Sequence, residues 1–463
     1  MRLFVSFHPD PSSGRPWPLL ASAPESWQGA LCLAAFVLCA AGLFGSGPTP
    51  AHAQQPLARF IEAAQKRGLD LRQARAEMEQ ANAQVQQARG RLLPSATATA
   101  FYQRNSPVVA VTVPTGRFDG AVPITQRALI TPADQYGAQG TAALPLIDLA
   151  AWSGLSAAKA AADAADADVA AASEETTIAV VELWYRLVGQ RALAAAARRN
   201  LTATEETRDV ASAQVEVGVA GPLELSRAEA ELARARQSLA EAELAAVLSA
   251  RALSDLTGLA PDDSQPTIEM GTGDPEPPLA DEELESARER PTVSAARARE
   301  RAAKLTEQSA WLALFPALGA NGVARWNNAA GFGQKDAYYA GLNASWTLDF
   351  IKPARIRSEG AARAGAKVQS ARAKQVAETA LFAAWHNVRA SRVSLDAALA
   401  AQTASKRAAQ DAQARYQNGT ATQLDLITAQ RDAFQAEVFV IQAAASLHVA
   451  RSALAVRRGQ PIP

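Results

Sequence analysis

The sequence predicts a mainly α-helical chain that contributes membrane β-strands, built from one helix–hairpin–long helix–helix unit used twice. Three observations lead there. The first is an internal repeat at a constant offset of 201 residues, since 349−148 (Asp), 385−184 (Trp), 419−218 (Gly), 424−223 (Leu), 426−225 (Leu) and 459−258 (Gly) are all equal to it. The acid pair 425−224 shares that offset, and no gap is needed between Asp148 and Gly258. The second is a set of Ala-, Gln-, Arg-, Glu- and Leu-rich stretches with helical periodicity, far longer than a compact core needs. The third is four stretches in which apolar and polar residues alternate with period two.

The first 53 residues read as a secretory signal. Ala30 to Leu43 is compactly apolar, Gly45-Ser46-Gly47-Pro48 breaks it, and Ala51-His52-Ala53 matches a cleavage site before Gln54. The n-region is long and carries Asp10 and Glu25, which a mis-assigned start accounts for. Both cysteines, Cys32 and Cys39, lie in this segment behind Leu31 and Leu38, so lipidation is not expected. The chain beyond it then has no thiol and no disulfide.

The helix from Leu57 to Leu92 closes at Pro94, because proline lacks the amide that would continue it. Strand-like sequence follows over about 95–147, then a helix from about Leu149 to Val217, on the order of 100 Å long. A turn at Gly218 opens a further helix to about Leu256. Residues 260–280, rich in Pro, Gly and Asp, form a linker between a first repeat, 54–259, and a second, 281–463. The second repeat runs as a helix from Asp281 to about Leu314, strands over about 317–350, a long helix to Gln417, a turn at Asn418-Gly419, and a last helix to about Arg457. The two short helices of each repeat sum to about one long one, so they are expected end to end beside it. The first hairpin exceeds the second by 21 residues, rich in Pro and Gly, which read as a variable surface loop.

The alternating stretches carry the argument about environment. Tyr338, Ala340, Leu342, Ala344, Trp346, Leu348 and Phe350 share one face against Tyr339, Gly341, Asn343, Ser345, Thr347 and Asp349. Leu318 to Asn327 and Gln135 to Leu146 alternate likewise, and Ser95 to Gln103 does so more weakly. About ten residues of apolar-out, polar-in alternation is the length of a membrane strand. Half-buried strands of a soluble sandwich would explain any one of them, but four strands cannot bury a face beside helices this long. Nor can four strands close a barrel, so several copies must contribute, and a trimer supplies an even twelve. Tyr136, Trp326, Tyr338, Trp346 and Phe350 are the candidates for the aromatic girdle.

The formal net charge of zero argues against a nucleic-acid partner. No phosphate loop, nucleophile elbow or metal-spaced cluster is present, and His386 and His448 sit in Ala-rich helix, so neither an enzyme nor a cofactor or metal site is expected. A periplasmic coiled-coil scaffold would account for the helices. It leaves the four alternating segments unexplained.

At this point the chain resembles the TolC family of outer-membrane efflux and secretion channels. The residues carrying the resemblance are Ala88 to Ser95 (ARGRLLPS), Arg290-Pro291, Val217-Gly218-Val219, Tyr416-Gln417-Asn418-Gly419-Thr420, and Leu424-Asp425-Leu426 with Ala429-Gln430. The resemblance implies a homotrimer with a twelve-stranded barrel in outer-membrane lipid and a long α-helical barrel in the periplasm. It also implies a role as exit duct for an inner-membrane pump of the RND or ABC type, joined by a periplasmic adaptor (membrane fusion) protein.

The turns at Val217, Gly218 and Val219 and at Asn418, Gly419 and Thr420 would then form the periplasmic tip and the adaptor-docking points. Asp425 matches the first acid that rings the entrance, while the second position is Thr428. Glu224 matches an acid tied to the tyrosine at Tyr416, and the arginine of a further latch is Ala421 here. Read from the residues alone, Asp425 and Glu224 fit equally well as helix-start carboxylates favoured by the helix dipole. Tyr416 likewise fits interhelical packing, and the glycines fit the turns themselves.

Overall fold

The computed structural model describes residues 54–262, 270–329 and 334–462. The signal segment expected over 1–53 lies outside the described residues. Eight helices and six strands are described: α1 (Gln54–Arg67), α2 (Leu69–Gly90), β1 (Ser95–Arg104), β2 (Val109–Asp119), β3 (Val122–Thr131), β4 (Asp134–Ile147), α3 (Leu149–Glu216), α4 (Pro222–Thr257), α5 (Asp281–Ala287), α6 (Pro291–Leu312), β5 (Ala317–Asn327), β6 (Asp336–Ser345), α7 (Ile351–Gln417) and α8 (Gln423–Arg458).

The long helices α3 and α7 have 68 and 67 residues, roughly 100 Å each. The shorter helices lie along them: α2 and α4 both pack on α3 and α8 packs chiefly on α7, as expected, whereas α6 lies between the two long helices and packs more on α3 than on α7. Matched acids start the two long helices. Asp148 accepts the Ala151 amide at 2.9 Å, and Asp349 accepts the Ile351 and Lys352 amides at 3.0 and 2.9 Å. The largest buried cluster lies where α1, α3, α7 and α8 meet, around Phe60, Val180, Leu187, Leu381, Val388, Ile441 and Leu447. Trp184 is 2% exposed there and its ring tilts against Phe60 with centroids 5.1 Å apart. Its repeat partner Trp385 is only half-buried, donates Nε1–H to the Pro277 carbonyl at 2.8 Å, and lies under the Arg389 guanidinium. It therefore packs against the core from its rim and also holds the linker. By length and hydropathy α8 could cross a membrane, but 44% of that apolar window is buried, as suits a core helix packed against α7 and α3.

Both first helices of the repeats are broken where one helix was expected. Gly68 leaves the helical conformation at ψ 131°, and a Cβ there would lie 2.5 Å from the Ala64 carbonyl oxygen, so only glycine fits the break. In the second repeat Pro291 forces Arg290 out of the α region (ψ 153°) and restarts the helix at its first turn.

The strands form one four-stranded antiparallel sheet in the order β1-β4-β5-β6, with β2-β3 as a separate two-stranded ribbon. The 21 additional residues of the first hairpin are thus an ordered ribbon, not an irregular loop. Its glycines Gly116 and Gly120 take positive φ, and β-branched residues such as Val109, Val111, Val113 and Val122 pair on either side. β6 ends at Ser345, five residues short of the alternation. Ser345 pairs with Ala317, the first residue of β5, so Trp346 to Phe350 have no strand opposite them. Instead Trp346 donates Nε1–H to the Leu314 carbonyl at 2.8 Å, and Lys352 bonds the Ala313 and Thr347 carbonyls.

Gly137 in β4 is the tightest point of the sheet. A Cβ there would meet the Trp326 carbonyl oxygen at 2.6 Å and the Phe101 ring at 2.9 Å. Gly137→Ala is expected to cost on the order of 1–3 kcal/mol, read as a lower thermal unfolding midpoint in detergent. An unchanged midpoint would show that β4 and β5 can separate freely at this point.

Candidate functional site: the helical tip and the strand sheet

At the end of the rod opposite the strands, α3 and α7 stop by one device. Gly218 and Gly419 take φ 77° and 71°, a left-handed conformation that a side chain would strain. The following amides bond back five residues, Val219 to the Gln214 carbonyl at 2.9 Å and Thr420 to the Arg415 carbonyl at 2.8 Å. Val217 and Val219 are 72% and 78% exposed at the first turn, with Leu223 and Leu424 beside the helix starts, so each tip presents apolar side chains to solvent.

The acids next to the turns cap their own helices. Glu224 accepts the Gly221 amide at 3.0 Å. Asp425 accepts the Thr422 hydroxyl at 2.7 Å and the Thr422 amide at 3.0 Å, and the Thr422 hydroxyl accepts the Asp425 amide in return. Those bonds, the hydroxyl's first, hold the exposed Asp425 carboxyl below its ordinary value, so it stays charged at neutral pH. Thr428 turns its hydroxyl back to the Leu424 carbonyl. Tyr416 does not bond Glu224: its hydroxyl donates to Gln214 Oε1 at 2.7 Å, joining the ends of α7 and α3. Burial raises the phenol above its ordinary value and the Glu224 charge adds to this, so the donor is retained well above neutral pH.

Sequence reasoning missed a second tie between the two tips. The Arg431 guanidinium forks onto Glu231, with Nη2–Oε2 at 2.6 Å and Nε–Oε1 at 3.3 Å, which links α8 to α4. Alternating charges on Ala-rich helices gave no signal for choosing this pair. Burial pushes the Glu231 carboxyl up, but Arg431, helped by Arg234, outweighs it and holds the carboxyl below its ordinary value. Such a carboxylate contributes stability above the unfolded-state pKa of about 4.3 and loses it as pH falls through the lower folded value. Hydrogen exchange over residues 222–235 and 424–435, corrected for intrinsic rate, is therefore expected to be flat from pH 7 to about 5 and to accelerate below about 4. The same acceleration at pH 7 in Arg431→Gln would assign it to this pair.

At the other end, the register decides which residues share a face. Ala138 lies opposite Ala100 and Trp326, Gly140 opposite Ala98 and Ala324, and Leu144 opposite Ala320, while Ala324, Gly322 and Ala320 face Tyr338, Ala340 and Leu342. The apolar sides of all four strands therefore form one continuous surface. A bulge between Pro145 and Ile147 sets Ile147, rather than Leu146, opposite Leu318. Ser95, Thr97, Thr99, Gln103, Gln135, Gln139, Thr141, Asn321, Asn327 and Asn343 fall on the other face. Neither face is covered within the chain: Leu342 is 81% exposed on the apolar side and Tyr339 is 59% exposed on the other.

The aromatics stand at the two ends of the apolar face. Tyr136 and Trp326 pack with ring centroids 5.7 Å apart near the far end, beside Tyr338 and beside Tyr102, directly opposite Tyr136. Trp346 and Phe350 lie at the helix end with Trp311 and Phe315, all exposed. Tyr102 was missed because only the pairing of β1 with β4 places it. From Tyr136 to Ile147 is roughly 36 Å along the strand, or about 28 Å of height at a 40° tilt, close to the apolar band of outer-membrane barrels. Among the described residues no group of three or more His, Asp or Glu side chains is placed to hold a metal.

The family model for outer membrane efflux proteins matches residues 60–259 and 284–460, which is most of the chain. The chain belongs to that family. It is an outer-membrane efflux channel by kind, and the family's members are channels rather than enzymes. No curated protein sequence matches it significantly. Solved structures share its fold. The outer-membrane channel OprN is 23% identical with a TM-score of 0.74, covering 88% of this chain and 90% of its own. VceC from Vibrio cholerae is 19% identical with a TM-score of 0.71, covering 89% and 98%. The open-state MtrE channel of Neisseria gonorrhoeae is 21% identical with a TM-score of 0.71, covering 87% and 89%. Within this efflux protein the tip residues Asp425, Glu224 and Tyr416 lie together at the ends of α3, α4, α7 and α8, and the strand aromatics lie at the opposite end.

Proposed function

We propose that three copies of this chain close a twelve-stranded barrel in the outer membrane and continue it as an α-helical duct through the periplasm. The duct is the exit of a tripartite efflux or type I secretion system, fed by an inner-membrane pump of the RND or ABC type through a periplasmic adaptor. Each chain supplies two structural repeats, 54–259 and 281–463, joined by 260–280, after removal of a signal peptide. The observation that carries the reading is the four-stranded sheet with one unbroken apolar face, one polar face and two unpaired edges, β1 and β6. In lipid an unpaired edge leaves backbone amides and carbonyls unsatisfied at several kcal/mol each, and pairing β6 with β1 of another copy removes every edge. The aromatics at both ends of that face then sit at the two lipid–water interfaces, as a girdle made of Tyr136, Trp326 and Tyr338 outside and Trp346 and Phe350 inside.

At the periplasmic end the exposed turn Val217-Gly218-Val219 offers an apolar docking point for the adaptor and Asn418-Gly419-Thr420 a polar one, each set by its glycine. Asp425 is exposed and held ionised by Thr422, which suits one acidic ring at the entrance. With Thr428 uncharged and Ala421 in place of a latch arginine, the tip is held by Tyr416–Gln214 and Arg431–Glu231 instead.

The purified mature chain is expected to run at the mass of a trimer in detergent and to give small, long-lived single-channel conductances in planar bilayers. A monomer without conductance would overturn the reading and favour a periplasmic scaffold. In the channel, Asp425→Ala is expected to weaken block by trivalent cations added on the tip side. Unchanged block removes Asp425 from the entrance.

A further inference from the structure

The polar face of the strand sheet carries mainly amides, hydroxyls and small residues, with Phe101, Val323 and Tyr339 among them. Among the ladder residues of β1, β4, β5 and β6 on that face, Arg325 is the only charged side chain. It lies opposite Gln139 on one side and Ala337 on the other, is exposed, and has no carboxylate partner among the described residues. The acids nearest in the sheet are on the other face and at the far rim. Asp134 lies opposite Arg104 and accepts the Tyr102 hydroxyl at 2.8 Å, and Asp336 lies opposite Trp326. An unpaired arginine among ladder residues otherwise devoid of charge on that face is not explained by folding, since its same-face neighbours Gln139, Ala337, Val323 and Asn327 are all uncharged.

We propose that Arg325 is a selectivity residue: repeated in each copy of the assembled barrel, it forms a cationic ring that favours anionic solutes in the membrane section of the duct. This rests on the channel reading above. Twelve strands spaced about 4.8 Å apart and tilted about 40° close at a backbone diameter of roughly 24 Å. A guanidinium reaching about 6–7 Å inward then lies about 5–6 Å from the axis, inside the ~10 Å Debye length at 0.1 M salt. Rings of Arg or Lys are the physical means by which pores favour anions. The ring stands at the opposite end of the chain from Asp425, so the duct would select by opposite charges at its two mouths.

The test is the reversal potential of the purified channel in a bilayer under a tenfold KCl gradient at low ionic strength. Arg325→Gln is expected to lower the anion-over-cation permeability ratio at least about threefold, Arg325→Glu to lower it further, and Arg325→Lys to leave it near wild type. Trimeric mass and heat-dependent gel migration report that each variant is assembled. Coincident reversal potentials for all four channels overturn the assignment of Arg325 while leaving the channel reading intact. A wild-type chain without conductance sinks the channel reading and this inference with it. Should Arg325→Gln fail to assemble, hexacyanoferrate(II) added to each side of the wild-type channel decides. Stronger block from the strand side at low salt sustains the ring, and equal block from both sides overturns it.

Discussion

The ladder between β4 and β5 is the contact on which the rest of the molecule depends. It joins the hairpins of the two halves, pairing Ala138 with Trp326 and Leu144 with Ala320 across about 180 residues of chain. Because side chains alternate with period two, a slip of one residue here would turn the second hairpin's apolar face to the polar side. With the observed pairing, all four strands agree, and a surface fit for lipid lies back to back with one fit for water. Gly137 marks how tightly that agreement is enforced, with the Trp326 carbonyl and the Phe101 ring filling the space a Cβ would need.

The helical part follows from length and small residues rather than from an ordinary core. Ala-rich faces let α2 and α4 run along α3, α8 along α7 and α6 between the two, with deep burial concentrated near Trp184, Leu187, Val388 and Leu447. Toward the tip Leu426, Ile427 and Leu232 remain buried, and polar ties join the helices beside them, Tyr416 to Gln214 and Arg431 to Glu231. The two turns use the same glycine geometry, yet the ties around them differ, so the duplicated halves are not equivalent at the end where a partner would dock.

Where sequence reading fell short, the reasons are specific. The breaks at Gly68 and Arg290-Pro291 were legible in principle, since a glycine and a proline stood in otherwise helical stretches, but periodicity ran on through both. The ribbon of β2 and β3 was hidden because Pro and Gly suggested irregular loop while the β-branched residues between them were paying the cost of order. The strand ending at Ser345 kept its alternation to Phe350, and only the lack of a partner beyond Ala317 stopped it. Tyr416 was expected near Glu224. It lies close enough to feel the Glu224 charge, but its hydroxyl donates to Gln214, while Glu224 accepts the Gly221 amide at the start of its own helix.

By itself the sequence determined what short-range chemistry controls: two copies of one plan, long helices stopped by glycine turns, helix starts capped by Asp148, Asp349, Glu224 and Asp425, and four strands with an apolar and a polar side. These depend on periodicity, propensity and neighbours within a few residues. Only the tertiary structure decided which strand lies beside which and in what register, and with it the common apolar face, the place of Tyr102 in the aromatic row and the isolation of Arg325. Pairing across a sheet and the choice of partner for a long polar side chain are set by contacts between residues far apart in the chain, and no local pattern carries that information.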